Sequence, residues 1–333
     1  MVYPDTRGRF LQELRLSVTD RCNLRCSYCM PAEIFGKNYA FLPKSEILSF
    51  EKIQRLVRIM VKIGVYKVRI TGGEPLLRRN LPDLIHLLSR VDGLQDIAIT
   101  TNGILLPKYA EALAKAGLKR VNISLDALDQ DCYQKISGGF GSPKKALKAV
   151  EVAQENGWKP KVNMVVMRSQ NLNQIIPMAE LFHQLGVELR FIEYMDVGNS
   201  NQWNKQEVVT YDEILEILSS KFSFRKVPSL GNNLVAQSFE YSNGSRFGVI
   251  ASVSQPFCSG CGRVRISSQG KLYTCLFSAH GYPLKPMLDS SWDDQSIQHM
   301  ILSIWSRRKD RYSEKRYQQP ATKKKIEMSY IGG

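Results

Sequence analysis

Apolar and polar residues alternate with two different periods along the first two-thirds of this chain. Short runs rich in branched residues fall at 14–18, 65–71, 97–100, 120–125, 161–166 and 189–193, and they read as strands. Between them, apolar residues recur at helical spacing around 45–63, 81–90, 108–116, 143–156 and 172–185. Gly64 and Gly117 stand where such helices should stop. This alternation predicts parallel strands joined by crossover helices. Six units of this kind suit a doubly wound sheet or an incomplete β/α barrel, and both place chemistry at the carboxyl ends of the strands. The polar and glycine-rich motifs do follow strands. Residues 20–30 follow the first, Gly72-Gly73-Glu74-Pro75 the second, Thr101-Asn102-Gly103 the third and Asp126 the fourth, while residues 193–196 close the sixth.

After about residue 200 the texture changes. Residues 199–204 are polar and linker-like, 210–219 and 296–307 read as helices, and 222–266 as short strands separated by turns. The tail is basic at Lys323, Lys324 and Lys325 and ends in Gly332-Gly333. The chain therefore divides into residues 1–200 and 201–333.

Composition narrows the class. Hydrophobic residues make up 43% and charged residues 23% of 333, the balance of a soluble globular protein. No run of roughly 18 apolar residues occurs, and the amino terminus lacks the apolar core of a signal peptide. A cytoplasmic enzyme without a membrane partner is expected, and there thiols stay reduced. The net charge of +15 favours an anionic partner. Basic residues in or beside strands (Arg15, Lys67, Arg69, Lys161 and Arg190) point to an internal anion such as a polyphosphate, not to a nucleic acid.

Six of the seven cysteines form two groups of three; Cys132 stands alone and reads as a small buried residue. Cys22, Cys26 and Cys29 directly follow a strand. Three thiolates in one short loop can hold three corners of a 4Fe–4S cluster and leave the fourth iron open. Structural zinc would need a fourth ligand, and none of His86, His183, His280 or His299 is near in sequence. Cys258, Cys261 and Cys275 form the second group. Zinc stays open there, because Cys-x-x-Cys is a common zinc pair and His280 follows closely. Arg263 and Arg265 alternate on one strand face, and guanidinium forks suit phosphate.

The Cys-x3-Cys-x2-Cys spacing, with Tyr28 before the last cysteine, resembles the radical S-adenosylmethionine (SAM) signature, and Gly72-Gly73-Glu74-Pro75 supports it. More closely, residues 14–23, 68–76, 190–195, 256–261 and 310–314 and the terminal Gly332-Gly333 resemble the GTP 3′,8-cyclases that begin molybdenum cofactor biosynthesis. The resemblance implies an α/β fold, an incomplete (β/α)6 TIM-type barrel closed by a carboxyl-terminal α+β domain. It implies two 4Fe–4S clusters, on Cys22, Cys26 and Cys29 and on Cys258, Cys261 and Cys275, facing each other across one chamber. SAM would meet Tyr28, Gly72, Gly73, Glu74, Ser124 and Met195. GTP would meet Arg15, Arg69, Thr100, Lys161, Arg263 and Arg265. Arg15, Arg263, Arg265, Gly332 and Gly333 would serve catalysis, the last two through a tail reaching into the site. A 5′-deoxyadenosyl radical would take the ribose C3′ hydrogen, and the new carbon radical would attack C8 of guanine. The implied partners are an electron donor such as a flavodoxin or ferredoxin, cyclic pyranopterin monophosphate synthase acting on the product, and a second copy in a homodimer.

Three local departures stand against the family pattern: Gly262 where asparagine is more usual, the stretch Ser169-Gln170-Asn171, and Gln269 before Gly270. The rival readings are a peptide-modifying radical SAM maturase, which would carry a longer cysteine array, and a zinc-containing RNA-binding module. For the latter, the basic segment 305–317 with Tyr312 and Tyr317 would be the contact surface.

Overall fold

The computed structural model describes residues 3–228, 235–318 and 325–333. Six strands alternate with helices: β1 Glu13–Ser17, β2 Lys67–Thr71, β3 Asp96–Thr101, β4 Arg120–Ser124, β5 Lys161–Val166 and β6 Glu188–Glu193. The helices between them are α1 Phe50–Lys62, α2 Leu81–Ser89, α3 Leu106–Lys115, α4 Gln130–Ser137, α5 Pro143–Glu155, α6 Arg168–Asn171 and α7 Ile175–Gln184. Local chemistry sets their limits. The Ser49 side chain accepts from Lys52 N at the start of α1, proline occupies the first turn of α2, α3 and α5, and Gly64 and Gly117 take positive φ beyond α1 and α3. Of these helices only α4 and the short α6 lack a counterpart in the hydrophobic pattern. Asp129 caps α4 by accepting from Cys132 N, and Gly138 closes it in the left-handed region.

The strands pair in chain order, β1-β2-β3-β4-β5-β6, all parallel. A doubly wound sheet reverses its strand order midway. An order that never reverses, with right-handed crossovers, puts every helix on one face and curls the sheet as a barrel does. Outward residues such as Leu14, Leu16, Ile70, Ile99, Val121, Ile123, Val162 and Met164 are fully buried against the apolar faces of the helices. Inward residues are polar and partly exposed to a lumen: Glu13, Arg15, Arg69, Thr100, Ser124 and Asn163.

The barrel is not closed by β1 meeting β6. The carboxyl-terminal region contributes α8 Tyr211–Ser219, β7 Phe224–Val227, β8 Gln237–Tyr241, β9 Arg246–Ile250, β10 Arg263–Ile266, β11 Lys271–Tyr273 and β12 Tyr282–Pro283. It continues with α9 Lys285–Asp289, α10 Asp294–Ser306, α11 Tyr312–Lys315 and α12 Met328–Ile331. Strand β9 pairs in parallel with the free edge of β6, and β10 pairs in parallel with the free edge of β1. One twelve-stranded sheet results, in the order β12-β11-β10-β1-β2-β3-β4-β5-β6-β9-β8-β7. The strands that the sequence assigns to the region after 200 thus extend the first sheet at both of its edges. Among the described residues no helix is long and apolar enough to cross a membrane.

The β7–β9 flank has its own aromatic core. Phe247 stacks on Phe239 at 4.9 Å and meets Phe224 edge-on at 5.0 Å and Tyr241 at 4.8 Å. Phe247 is 1% exposed, so Phe247→Ala should cost about 3–5 kcal/mol. The shift in the urea midpoint checks this; a loss under about 1 kcal/mol would mean that the flank does not unfold with the barrel.

Candidate active site

The first triad is held by the docking of two loops. Gly73 N donates to Thr19 O at 2.8 Å and Glu74 N donates to Arg21 O at 2.7 Å, so the turn after β2 lies against the segment leading to Cys22. A Cβ on Gly72 would come within 2.3 Å of Thr19 O, and one on Gly73 within 2.3 Å of Arg21 O. The glycines are required first by this backbone contact, in addition to any ligand they approach. Glu74 is buried. Its Oε1 accepts from Leu76 N at 3.0 Å and Thr101 Oγ1 at 2.8 Å, and its Oε2 accepts from Asn102 N at 2.8 Å. Burial pushes its carboxyl up to about 7 against the pull of these bonds. Arg25 ties the cysteine loop by donating to Cys22 O and Leu24 O, each at 2.8 Å. Tyr28 OH donates to Asp126 Oδ2 at 2.9 Å, and Asp126 Oδ1 accepts from Val165 N at 2.8 Å, which fixes the ring before Cys29.

The second triad is placed by β10. Cys258 and Cys261 precede that strand, and β11 returns antiparallel so that Cys275 comes back to the same end. Because β10 runs parallel to β1, this end is the amino end of the barrel strands, whereas Cys22, Cys26 and Cys29 follow the carboxyl end of β1. The two triads thus stand at opposite ends of one lumen, with β1 running between them. Two buried arginines secure the second. Arg9 Nη1 donates to Cys258 O at 3.0 Å, and Arg308 donates from Nη1 to Cys261 O at 2.6 Å and from Nη2 to Cys261 Sγ at 3.5 Å. Asp5 pairs with both guanidiniums. Burial raises the Cys261 thiol, but Arg263 and Arg308 outweigh it and bring it to about 6; burial pushes Cys22 up to about 11 and Cys275 up to about 12.

One cavity, with about 2090 Å³ of space between its walls, part of it open to solvent, runs between the triads. All six triad cysteines line it, with Tyr28, Gly72, Gly73, Glu74, Ser124, Met195, Arg15, Arg69, Thr100, Arg263, Arg265 and Gly333. Two candidates stand outside its wall. Lys161 is not part of the lining, its Nζ donating to Glu188 instead, and Gly332 lies one residue before the lining residue Gly333. His280, which left zinc open, is exposed and apart from the wall. Cys132 is half-buried, not buried as its isolation suggests: it packs against the core from α4, and its Sγ donates to Gln170 O of α6 at 3.3 Å. The segment proposed for RNA contact is divided: Arg308 and Arg316 are buried and Tyr312 stacks on Phe277 at 4.3 Å, while Arg307, Lys309, Lys315 and Tyr317 are exposed.

The middle of the lumen is a cationic layer. Arg15 stands beside Arg69 on one neighbouring strand and Arg265 on the other. Burial and this crowding push Arg69 and Arg265 below the ordinary guanidinium range. Glu13 supplies the counter-charge, with Oε1 at 3.2 Å from Arg15 Nε and 3.4 Å from Arg69 Nε. Glu188 does the same for Arg190 at 2.7 Å and for Lys161. Thr100 Oγ1, Asn163 Oδ1 and Arg265 Nη1 are buried without hydrogen-bond partners in the structure. Polar atoms of this kind suit a polar, anionic ligand. Glu13, Asn163, Arg9 and Arg308 had escaped the sequence reading. Period-2 alternation from Arg15 and Lys161 could have found the first two; nothing local marks the others.

The departures have local causes. A Cβ on Gly262 would come within 2.4 Å of Phe10 O, so the close path of the amino-terminal arm excludes the expected asparagine. Ser169 Oγ donates to Glu207 at 2.7 Å, while Asn171 is fully satisfied by Met167 N, Asp126 O and Val165 O. Gln269 accepts from Tyr330 OH of the tail helix.

Fold and site together define the class, a radical SAM enzyme: residues 16–182 match the Radical SAM superfamily and residues 187–314 match Molybdenum Cofactor Synthesis C. The chain belongs, within it, to the GTP 3′,8-cyclase family. It is 46% identical to proteins of that name from Staphylococcus haemolyticus (99% of this chain, 98% of the relative) and Staphylococcus epidermidis (100% and 99%). The fold is shared with SuiB of Streptococcus suis bound to S-adenosylmethionine, at TM-score 0.61 and 18% identity over 88% of this chain and 69% of that one. SuiB bound to its precursor peptide SuiA gives 0.62 at 19% identity, over 88% and 64%. Two 4Fe–4S clusters and SAM are the cofactors of this family, and the residues present fit them: six thiols in two triads line one cavity with arginines between them.

Burial opposes ionisation of Glu13, yet Arg15, Arg69 and Arg263 hold its carboxyl at about 2, below the ordinary 4.5. A lowered carboxylate stabilises the fold above pH 4.5 and loses that contribution as pH falls towards 2. Glu13→Gln in the ligand-free protein should therefore cost about 3 kcal/mol at neutral pH. The gap to wild type should shrink as denaturation is repeated from pH 7 down to about 3. A gap that stays constant with pH would show that the carboxylate is not the paired species.

Proposed function

We propose that this chain converts GTP to (8S)-3′,8-cyclo-7,8-dihydroguanosine 5′-triphosphate, the first step of molybdenum cofactor biosynthesis. The observation that carries this reading is the cationic layer of Arg15, Arg69, Arg263 and Arg265 lying between two thiol triads in one cavity. A nucleoside triphosphate is a ligand of matching charge and length. Cys22, Cys26 and Cys29 would hold a cluster that with SAM would supply the radical chemistry, and Cys258, Cys261 and Cys275 would hold a second cluster toward the base.

The chain's own residues bind, orient and enclose. The turn Gly72-Gly73-Glu74, with Tyr28, Ser124 and Met195, receives SAM at the carboxyl end of the strands. Arg15, Arg69, Arg263 and Arg265, with Thr100 in the wall and Lys161 outside it, take the triphosphate. The incoming phosphates replace Glu13 as the partner of its guanidiniums, so buried positive charge stays compensated before and after binding. Gly332 and Gly333 close the cavity beside Thr71, whose Oγ1 donates to Gly333 O at 3.5 Å. Water is thereby kept from a site where only one C–H bond should react. Residues 1–200 form the barrel for the first cluster and SAM, and residues 201–333 add the second cluster, Arg263 and Arg265, and the Gly332-Gly333 tail. The enzyme works in the cytoplasm as a homodimer, takes electrons from a flavodoxin or ferredoxin system, and passes its product to cyclic pyranopterin monophosphate synthase.

Anaerobically reconstituted protein given SAM and reductant should form 5′-deoxyadenosine much faster with GTP, alongside a cyclised nucleotide. Formation indifferent to GTP would require another substrate. Arg263→Ala and Arg265→Ala should each lower kcat/KM for GTP by roughly 10²-fold while iron content stays at the wild-type level. Unchanged GTP kinetics in both would remove these residues from the site.

A further inference from the structure

Asp196 follows Met195 directly after β6, and no step proposed above uses it. It is buried and held from three directions. Arg316 Nε donates to Oδ1 at 2.7 Å, Tyr312 OH donates to Oδ2, and Lys325 Nζ donates to Oδ2 and to the Asp196 carbonyl, each at 2.6 Å. The same turn grips the tail again. Asn199 N donates to Glu327 Oε1 at 3.0 Å, and Lys325 N donates to Asn199 Oδ1 at 2.9 Å. Gly198 has φ of 67°, and a Cβ there would come within 2.2 Å of Glu327 Oε2, so the turn and the tail are in direct contact.

The partners of Asp196 reach further into the site. Arg316 Nη1 donates to Ser252 O at 3.1 Å, beside the end of β9. Tyr312 stacks on Phe277, two residues after Cys275. Beyond Glu327 the tail forms the single turn α12 and delivers Gly333 into the cavity wall. A turn this short has no stability of its own, and ordering a chain end costs conformational entropy at every residue. It needs fixed points. The far point is Tyr330, whose hydroxyl donates to Gln269 on the β10–β11 hairpin. The near point is the ion pair at Asp196.

We infer that Asp196 is a positioning residue for cyclisation: its carboxylate fastens the tail at Lys325 so that Gly332 and Gly333 close the cavity between the triads. The inference deepens, and rests on, the cyclase reading. Asp196 touches neither thiol triad and acts only through the tail.

Two variants separate this role from a general loss of fold. Lys325→Met takes away the tail's own arm and leaves Asp196 paired with Arg316 and Tyr312; Asp196→Asn keeps the size and removes the charge. In full-length reconstituted protein, four quantities are compared: iron content, 5′-deoxyadenosine formed without GTP, cyclised product per 5′-deoxyadenosine with GTP, and release of residues 328–333 by a glutamyl endopeptidase cutting after Glu327. Iron and GTP-independent 5′-deoxyadenosine should hold. Release of the tail peptide should rise roughly tenfold. The product ratio should fall on the order of 10²-fold, the scale set by displacing groups around a reacting centre. Lys325→Arg should restore both. Wild-type protection of the tail, or a wild-type product ratio, in Lys325→Met would overturn the inference, and that variant decides the matter if Asp196→Asn fails to fold. Should wild-type protein form 5′-deoxyadenosine with GTP but no cyclised nucleotide, the cyclase reading falls, while the protease arm still decides whether Asp196 holds the tail.

Discussion

Everything in the site depends on one strand pairing, that of β10 with the free edge of β1. Gly262 O accepts from Gln12 N at 2.9 Å and Glu13 N at 3.1 Å and starts the register that sets Arg263 opposite Glu13 and Arg265 opposite Arg15. A shift of one residue would turn both arginines out of the lumen and into the outer packing layer. The same pairing carries Cys258, Cys261 and, through β11, Cys275 to the amino end of the barrel. Two triads can face each other along one lumen only if the second arrives from the opposite end to the first. Parallel pairing of β10 with β1 is what supplies that arrangement.

The price of the arrangement is buried positive charge. An uncompensated guanidinium in a lumen loses hydration that costs several kcal/mol. The chain answers with carboxylates placed at the first position of two strands. Glu13 stands two residues before Arg15 and Glu188 two before Arg190, so each faces the same lumen as the arginine it neutralises. Around the second triad, Asp5 holds Arg9 and Arg308 in the same way. Arg9 then donates to Cys258 O, and Arg308 donates both to Cys261 O and to Cys261 Sγ. Three pairs of cationic side chains are thus preorganised by three acids, and each acid comes from a segment adjoining the site.

The sequence displayed the barrel because barrel signals are local. Strand β5 runs from Lys161 to Val166 as its pattern predicts, and β1, β3, β4 and β6 differ from expectation by a residue or so at their ends, where pattern is weakest. The cysteine groups were legible for the same reason, since each triad falls within one short stretch of chain. Pairings between distant segments left no such trace. Nothing in residues 237–266 announces that β9 and β10 join opposite edges of one sheet. Nothing around Arg9 or Arg308 reveals a partner about 250 or 47 positions away. Helix α4 escaped because its mean character is polar and its helical state is set by a cap at Asp129 and a stop at Gly138 more than by an apolar stripe.

The terminal glycines show how motif and physics meet. Gly332 has φ of 78°, a conformation that glycine adopts freely, and a Cβ there would come within 2.2 Å of Thr71 Cγ2. A Cβ on Gly333 would come within 2.7 Å of Met328 Sδ. Thr71 ends β2 and leads into Gly72-Gly73, whose own missing side chains admit the backbone of residues 19–21. Thr71 therefore sits between two glycine pairs that serve opposite partners, the first cysteine loop on one side and the tail on the other. A side chain at Gly332 would push the tail away from Thr71, and one at Gly73 would push away the segment that carries Cys22. The pair at the carboxyl terminus answers a related constraint: Gly332 packs against the Thr71 side chain and Gly333 against Met328, where the pair after β2 packs against the backbone of residues 19–21.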